Sequence, residues 1–300
     1  MANTRQLVRR RKSVRNTRKI TKTMEKISTA KLAKAKSAAV AARPYALKLK
    51  EIVGEIAAVS GDIKHPLLEA HAQPKKAVVI VLTSDRGLCG GFNSNLVKLG
   101  RTIVTDLREK GREVDTIVQG KKGIAAFRYL SIPMQEKLIG ISDKPTYARA
   151  EAIADKLISE YGLRQVDEVY LVYSSFRGAM PKPVSEMLMP LSSLKGGSEG
   201  SGAAKPVATT AASKSLVGYI FHPNSKDILA QVLPLVVKMA LFTAMLESTA
   251  SEHAARRVAM KNATDSADDM IKLLSRMYNR ARQSKITQEI AEIVGGAAAL

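Results

Sequence analysis

The residues most capable of chemistry are concentrated in one segment. Thr83-Ser84-Asp85-Arg86-Gly87-Leu88-Cys89-Gly90-Gly91-Phe92-Asn93 follows Val78-Val79-Ile80-Val81-Leu82 and leads into a helical pattern. Glycines at a strand-to-helix junction suit phosphate, because backbone amides at a helix N-terminus cradle an anion. The spacing here is Gly-x-x-Gly-Gly, which is neither the dinucleotide fingerprint nor a P-loop, since no Gly-Lys-Ser/Thr follows. The spacing favours the alternative, a tight turn whose glycines adopt positive φ. Cys89 is the only cysteine, so an intrachain disulfide framework and a multi-cysteine metal site are excluded. It lacks a local histidine partner that would activate it as a nucleophile. His65, His71, His222 and His253 are scattered without metal-ligand spacing, and no carboxylate pair is marked out for acid–base work. No catalytic, cofactor-binding or metal-binding residue is expected in the chain.

Charge is distributed very unevenly. The 300 residues carry a formal +21, and residues 1–50 hold +15 of it, with sixteen Lys or Arg against the single acid Glu25. An acidic partner is implied. An Arg-rich, acid-poor start also describes a transit peptide, but the helical pattern continues far beyond the length of one. Aromatics are only 4% and Trp is absent, which weakens a reading in which bases stack on rings. No run of 18 uninterrupted apolar residues occurs, so a membrane span is not expected. Nor does the start carry a secretory signal pattern. The expectation is a soluble intracellular protein.

The elements that must position these residues fall into three blocks. Ile20, Met24 and Ile27 step by four and three; Tyr45, Leu49, Ile52, Ile56 and Val59 resume that stepping after an Ala-rich run. This predicts one helix from about residue 3 to 59, roughly 85 Å long, with a bend allowed at Pro44. A second helix is expected from Ser225 to Gly295-Gly296. Its stripe runs Leu229, Val232, Val236, Met239, Phe242, Leu246, then Met270, Leu274, Met277, Ala281, then Ile286, Ile290 and Ile293. Pro234 should kink it. Two such helices at opposite chain ends suggest an antiparallel coiled coil, with a narrow seam rich in Ala, Met and Thr. Between them, strand candidates 78–82, 114–118 and 169–173 alternate with helical patterns at 93–110, 121–130 and 146–161. The predicted fold class is α/β. A coiled coil of residues 1–60 with 225–295 joins a Rossmann-like domain at 75–192, and a flexible insertion occupies 193–215, Gly/Ser/Ala/Thr-rich at 195–213.

A basic coiled coil has three readings: a nucleic-acid arm, a solvated face, or a shaft inside an acidic protein sleeve. The small, uncharged tip Gly296-Ala297-Ala298-Ala299-Leu300 suits an apolar collar. Three blocks carry a further likeness. They are Asn16-Thr17-Arg18-Lys19-Ile20-Thr21-Lys22-Thr23-Met24-Glu25-Lys26 with Ala42-Arg43-Pro44-Tyr45; the Thr83–Asn93 segment; and the C-terminal run. That run comprises Ala255-Arg256, Val258-Ala259-Met260-Lys261-Asn262-Ala263-Thr264-Asp265, Tyr278-Asn279-Arg280-Ala281-Arg282-Gln283, Ile286-Thr287-Gln288-Glu289-Ile290 and Glu292-Ile293-Val294-Gly295-Gly296-Ala297. On these residues the chain resembles the gamma subunits of F-type ATP synthases over nearly its whole length.

The resemblance implies a rotor shaft inside a hexamer of alternating alpha and beta subunits, with an epsilon subunit and a membrane ring of c subunits at the foot. One copy per complex, no nucleic acid, and a peripheral place on the cytoplasmic face of a bacterial inner membrane follow from it. ATP would be made or hydrolysed in the beta subunits while this chain transmits torque. Met24, Arg256, Arg282, Gln283 and Thr287 would contact the alpha and beta subunits, and Tyr219, Phe221 and His222 would lie near the ring. Where the family usually has Glu-Pro-Asp at the foot, this chain has His222-Pro223-Asn224. A lone Cys89 cannot form the dithiol switch of chloroplast relatives.

Overall fold

The computed structural model describes residues 4–59, 65–71, 73–176, 181–191 and 225–298. The 195–213 insertion, Tyr219, Phe221 and His222 lie outside these residues. The elements run α1 (Thr4–Val59), a 3-10 turn (Pro66–Leu68), β1 (Lys76–Leu82), α2 (Phe92–Glu109), β2 (Glu113–Gln119), α3 (Lys121–Tyr129), β3 (Glu136–Leu138), α4 (Tyr147–Gly162), β4 (Glu168–Ser175), β5 (Lys182–Met189) and α5 (Ser225–Ala298). The residues group into two compact units. One holds α1 as far as Ala33, Leu88–Gly90, and α5 from His253; the other holds the rest of the described chain. Pro44 and Pro234 both lie inside continuous helix, and α5 passes through Gly295 and Gly296 instead of stopping there.

In the larger unit a five-stranded sheet has the order β3-β2-β1-β4-β5. β1 pairs parallel with β2 and β4, β2 parallel with β3, and β5 closes the edge antiparallel to β4. The central strands are buried on both faces, which is why they read as unbroken β-branched runs. Residues Val78, Ile80 and Leu82 of β1 share a core with Leu49, Val53 and Ile56 of α1, Leu157 of α4, and Leu229, Leu233 and Val237 of α5. On the opposite face Gly100 lets α2 approach the sheet, since a Cβ there would stand 3.0 Å from a Val81 methyl.

β3 and β5 carry no alternating apolar signal. β5 begins Lys182-Pro183 and is exposed along most of its length, as an edge strand tolerates. The long helix α5 includes a window of mean hydropathy 1.9, apolar and long enough to cross a membrane by composition. That qualifies the expectation drawn from unbroken runs. In this structure Leu229, Leu233, Val237, Leu241 and Met245 of α5 belong to the protein core.

The edge of this core carries a titration signature. Tyr161 is fully buried, stacks on His71 with ring centroids 4.9 Å apart, and donates from its hydroxyl to the Glu69 carbonyl at 2.8 Å. Burial first, then the nearby carboxylates of Asp167, Glu168 and Glu69, push its pKa up to about 12. The unfolded chain would ionise near pH 10, so the unfolded state loses its proton first as pH rises. This contribution to stability is therefore complete below about pH 10 and is lost on the way to about pH 12. In denaturant titrations across that window, Tyr161→Phe should show a flatter fall in unfolding free energy than the parent chain. Equal slopes would contradict the assignment.

Candidate functional site: a filled crevice and a basic helix pair

In a doubly wound sheet, ligands bind beyond the carboxyl ends of the strands where the strand order reverses. Here that point lies between β1 and β4, and α5 occupies it. Ser248 Oγ donates to the Leu82 carbonyl at the end of β1 at 3.4 Å, and Ser251 Oγ to the Ser174 carbonyl of β4 at 2.9 Å. Thr249 Oγ1 lies 2.9 Å from the Ser142 carbonyl and also 2.9 Å from Met245 O of its own helix. Carbonyls at strand ends need donors, and short hydroxyl side chains supply them while letting the helix backbone come close. Ser248, Thr249, Ala250 and Ser251 are all buried. The crevice is closed by the protein's own helix.

The glycine-containing turn spends its polar groups internally. Thr83 Oγ1 donates to the Gln119 carbonyl at 2.5 Å and accepts from the Gly123 amide at 3.0 Å. The Ser84 amide donates to Asn93 Oδ1 at 3.0 Å, and Ser84 Oγ to the Arg86 carbonyl at 2.6 Å. The Asp85 carboxylate accepts from the Lys121 amide at 3.1 Å, the Gly140 amide at 3.1 Å and Ser142 Oγ at 2.9 Å. These residues tie the end of β1 to the starts of α2 and α3. In the smaller unit Gly90 has φ +58 and packs against Ala259, whose Cβ would be 3.7 Å from a Cβ at Gly90. Cys89 beside it is 2% exposed, out of reach of a substrate. Leu88 was not singled out by the sequence, yet it has φ 62 and is largely exposed.

The smaller unit is a basic helix pair. Seam positions of α1 there fall at Thr4, Leu7, Arg11, Val14, Arg18, Thr21, Glu25, Ser28 and Leu32, an alternation of three and four, with Met24 and Lys31 half-buried beside them. The hydroxyls of Thr21 and Thr264 meet at 2.7 Å in the buried seam. Arg18 pairs with Asp268, and the Arg11 guanidinium sits 4.9 Å above the Tyr278 ring. Residue numbers fall along α1 as they rise along α5, so the two run antiparallel. The remaining circumference of α1 carries Arg5, Arg9, Arg10, Lys12, Arg15, Lys19, Lys22 and Lys26, all exposed.

The expected stripe of Ile20 and Ile27 is therefore corrected. They are 60% and 52% exposed, and Tyr45 further along α1 is exposed too. In α5, Leu274 is buried as expected, while Met270 and Met277 face outward. The apolar residues lie beside the seam, and polar Thr21 and Ser28 lie in it. The seven-residue spacing of Leu7, Val14, Thr21 and Ser28 was the available signal, hidden because half of it is polar.

Of the residues expected at subunit contacts, Met24 is half-buried, and Arg282, Gln283 and Thr287 are exposed on the last turns of α5. Arg282 shares a shallow groove with Arg5, Arg9, Tyr278 and Glu289. Arg256 differs: it is 6% exposed, with its guanidinium 3.3 Å from His253 Nδ1. Nothing in the geometry brings Arg256 together with Arg282 or Met24.

A family model described as ATP synthase matches residues 3–300. The chain is 42% identical over 301 residues to the ATP synthase gamma chain of Pelotomaculum thermopropionicum, covering all of both chains. It is 42% identical over 297 residues to that of Streptomyces coelicolor, covering 97% of this chain and 94% of the other. Among solved structures, a chain of the Euglena gracilis mitochondrial ATP synthase OSCP/F1/c-ring assembly aligns over 99% of this chain and 94% of its own, with TM-score 0.63 and 19% identity. A chain of the Tetrahymena thermophila mitochondrial central stalk and c-ring aligns with TM-score 0.57 at 22% identity, covering 81% and 99%. Those two likenesses concern the fold; the bacterial relatives carry the assignment. On full-length identity of this order, the chain belongs to the ATP synthase gamma chain family.

Proposed function

We propose that the basic helix pair is the torque-bearing part of this chain, the central shaft of a rotary ATP synthase. The observation that carries this reading is α5 from Arg282 onward. From Arg282 to Gly295 it is exposed residue after residue yet remains helical, held by local pairs such as Lys285–Glu289 at 3.3 Å and Gln288–Glu292 at 2.9 Å. A helix end carrying Ile286, Ile290, Ile293 and Val294 on the outside gains from a surrounding apolar and acidic collar.

The collar in this reading is a hexamer of alpha and beta subunits, with one copy of this chain at its centre. ATP is made or hydrolysed in the beta subunits, and an asymmetric shaft favours a different conformation in each. Differential interaction energy of that kind is what moves a conformational equilibrium. Rotation of the shaft, driven by ion flow through a membrane c-ring, permutes the three biases. Arg282, Gln283 and Thr287 touch the hexamer directly, and Met24 lies against an acidic loop of beta. Arg256, buried beside His253, holds the helix from within. Tyr219, Phe221 and His222 serve the foot, near epsilon and the ring, on the cytoplasmic face of a bacterial inner membrane. The domain division at 1–60, 75–192, 193–215 and 225–295 belongs to the same reading, with the filled β1/β4 crevice supporting a mechanical rather than nucleotide-binding role for the α/β part.

The test is purification of the tagged chain from its native membranes, with identification of the bound subunits and an ATPase assay. Recovery with alpha, beta and epsilon, together with ATPase activity absent from the isolated chain, is expected. Recovery with nucleic acid that washes off in salt would overturn the reading in favour of a basic nucleic-acid arm.

A further inference from the structure

Within the larger unit the seam of α1 continues its three-four alternation through Ala35, Ala39, Ala42 and Ala46 before reaching Leu49 and Val53. Across a shared cavity, Ala39 and Ala46 face Ala240 and Ala244 of α5. These alanines present no large knob to seat in a hole, and apolar burial is non-directional. Such a seam resists separation of the helices far better than axial or rotational sliding, which is the load a torque shaft carries.

One group breaks this smoothness. Glu247 of α5 is 1% exposed and is reached from two other elements. Arg43 Nη2 of α1 donates to Oε1 at 3.0 Å; Ser175 Oγ at the end of β4 donates to Oε2 at 2.9 Å, and the Phe176 amide to the same oxygen at 3.2 Å. Directional, charge-assisted bonds of this kind set register where packing does not. We propose that Arg43 and Glu247 are positioning residues that lock α1, α5 and the end of β4 against slippage under torque. They act on coupling without touching nucleotide. Arg43 keeps part of its side chain in solvent, so Glu247→Gln leaves the arginine hydrated, whereas Arg43→Met leaves the buried Glu247 carboxylate without its guanidinium and is read only on assembled enzyme.

The inference rests on the shaft reading, and its test separates the two. Complexes assembled with Glu247→Gln, Arg43→Met and Arg43→Lys chains are reconstituted in vesicles. ATP hydrolysis and ATP-driven proton or sodium uptake are measured on equal amounts of assembled enzyme. Gln retains an acceptor for Ser175 and Phe176 but loses the charge; Lys retains the charge. The expected result is ion uptake per ATP lowered by roughly fivefold or more, the lower end of typical energetic coupling, in Glu247→Gln and Arg43→Met. Arg43→Lys should restore most of it. Wild-type uptake ratios in the first two, or losses that follow only the yield of assembled complex, would overturn the lock. A complex assembled without this chain that still couples ATP hydrolysis to ion uptake would overturn the shaft reading itself.

Discussion

Replacing Gly120 by alanine is expected to destabilise the α/β unit strongly, whereas Gly111→Ala is expected to be mild. Gly120 ends β2 with φ +95, and a Cβ there would stand 2.4 Å from the Thr83 carbonyl oxygen, 2.6 Å from its carbon and 2.8 Å from the Ser84 carbonyl carbon. Those atoms are backbone at the end of β1 and cannot rotate away. Left-handed strain and overpacking each cost about 1–3 kcal/mol, against a total stability of about 5–15 kcal/mol for a typical domain. Gly111 also has positive φ, +76, but nothing lies within 4 Å of its added Cβ, so only the strain of about 1 kcal/mol applies. Thermal unfolding followed by circular dichroism separates them. Similar melting temperatures for the two variants would mean that the β1 and β2 ends are looser than the structure describes.

The second large effect concerns coupling. A chain carrying Arg282→Glu and lacking residues 289–300 should fold as the parent does, yet assemble into a complex whose ion uptake per ATP is reduced by about tenfold. The physical reason for intact folding is that residues 282–295 of α5 are exposed, and surface changes away from packed sites stay within about 0.5 kcal/mol. On the shaft reading, charge reversal removes an attraction to an acidic collar and adds repulsion in its place. Melting of the isolated chain, subunit recovery and vesicle uptake are read together. Loss of assembly would make these turns structural contacts; unchanged uptake would remove them from the torque path.

Much of the fold could be read from residues directly. β1, β2 and β4 are double-sided core strands, so their β-branched runs were visible in isolation. β5 was not, because Lys182, Pro183, Ser185 and Glu186 sit on an exposed edge where no hydrophobic alternation is required. The length and pairing of α1 and α5 were legible from pattern persistence, but the phase of α1 was not. Ile20 and Ile27 announce a stripe that the helix turns outward, while Thr21 and Ser28 take the seam. Hydrophobicity predicts which side chain avoids water in an isolated chain; it cannot tell an inner seam from an apolar outer face.

The candidate site divides the same way. Glycine spacing was legible in the chain itself, whereas the hydrogen bonds of Ser248, Thr249 and Ser251 to carbonyls at the crevice were not. No local rule links these α5 residues to strand ends some 70 to 170 positions earlier in the chain. The sequence by itself determined the composition of the elements, the concentration of charge at the N-terminus and the family, because these depend on residue identity and short spacing. Only the tertiary structure decided which face of α1 is inside, what closes the sheet's crevice, and where Glu247 finds Arg43 and Ser175. Those outcomes depend on partners distant in the chain, whose packing and hydrogen bonds are settled only when the whole fold closes.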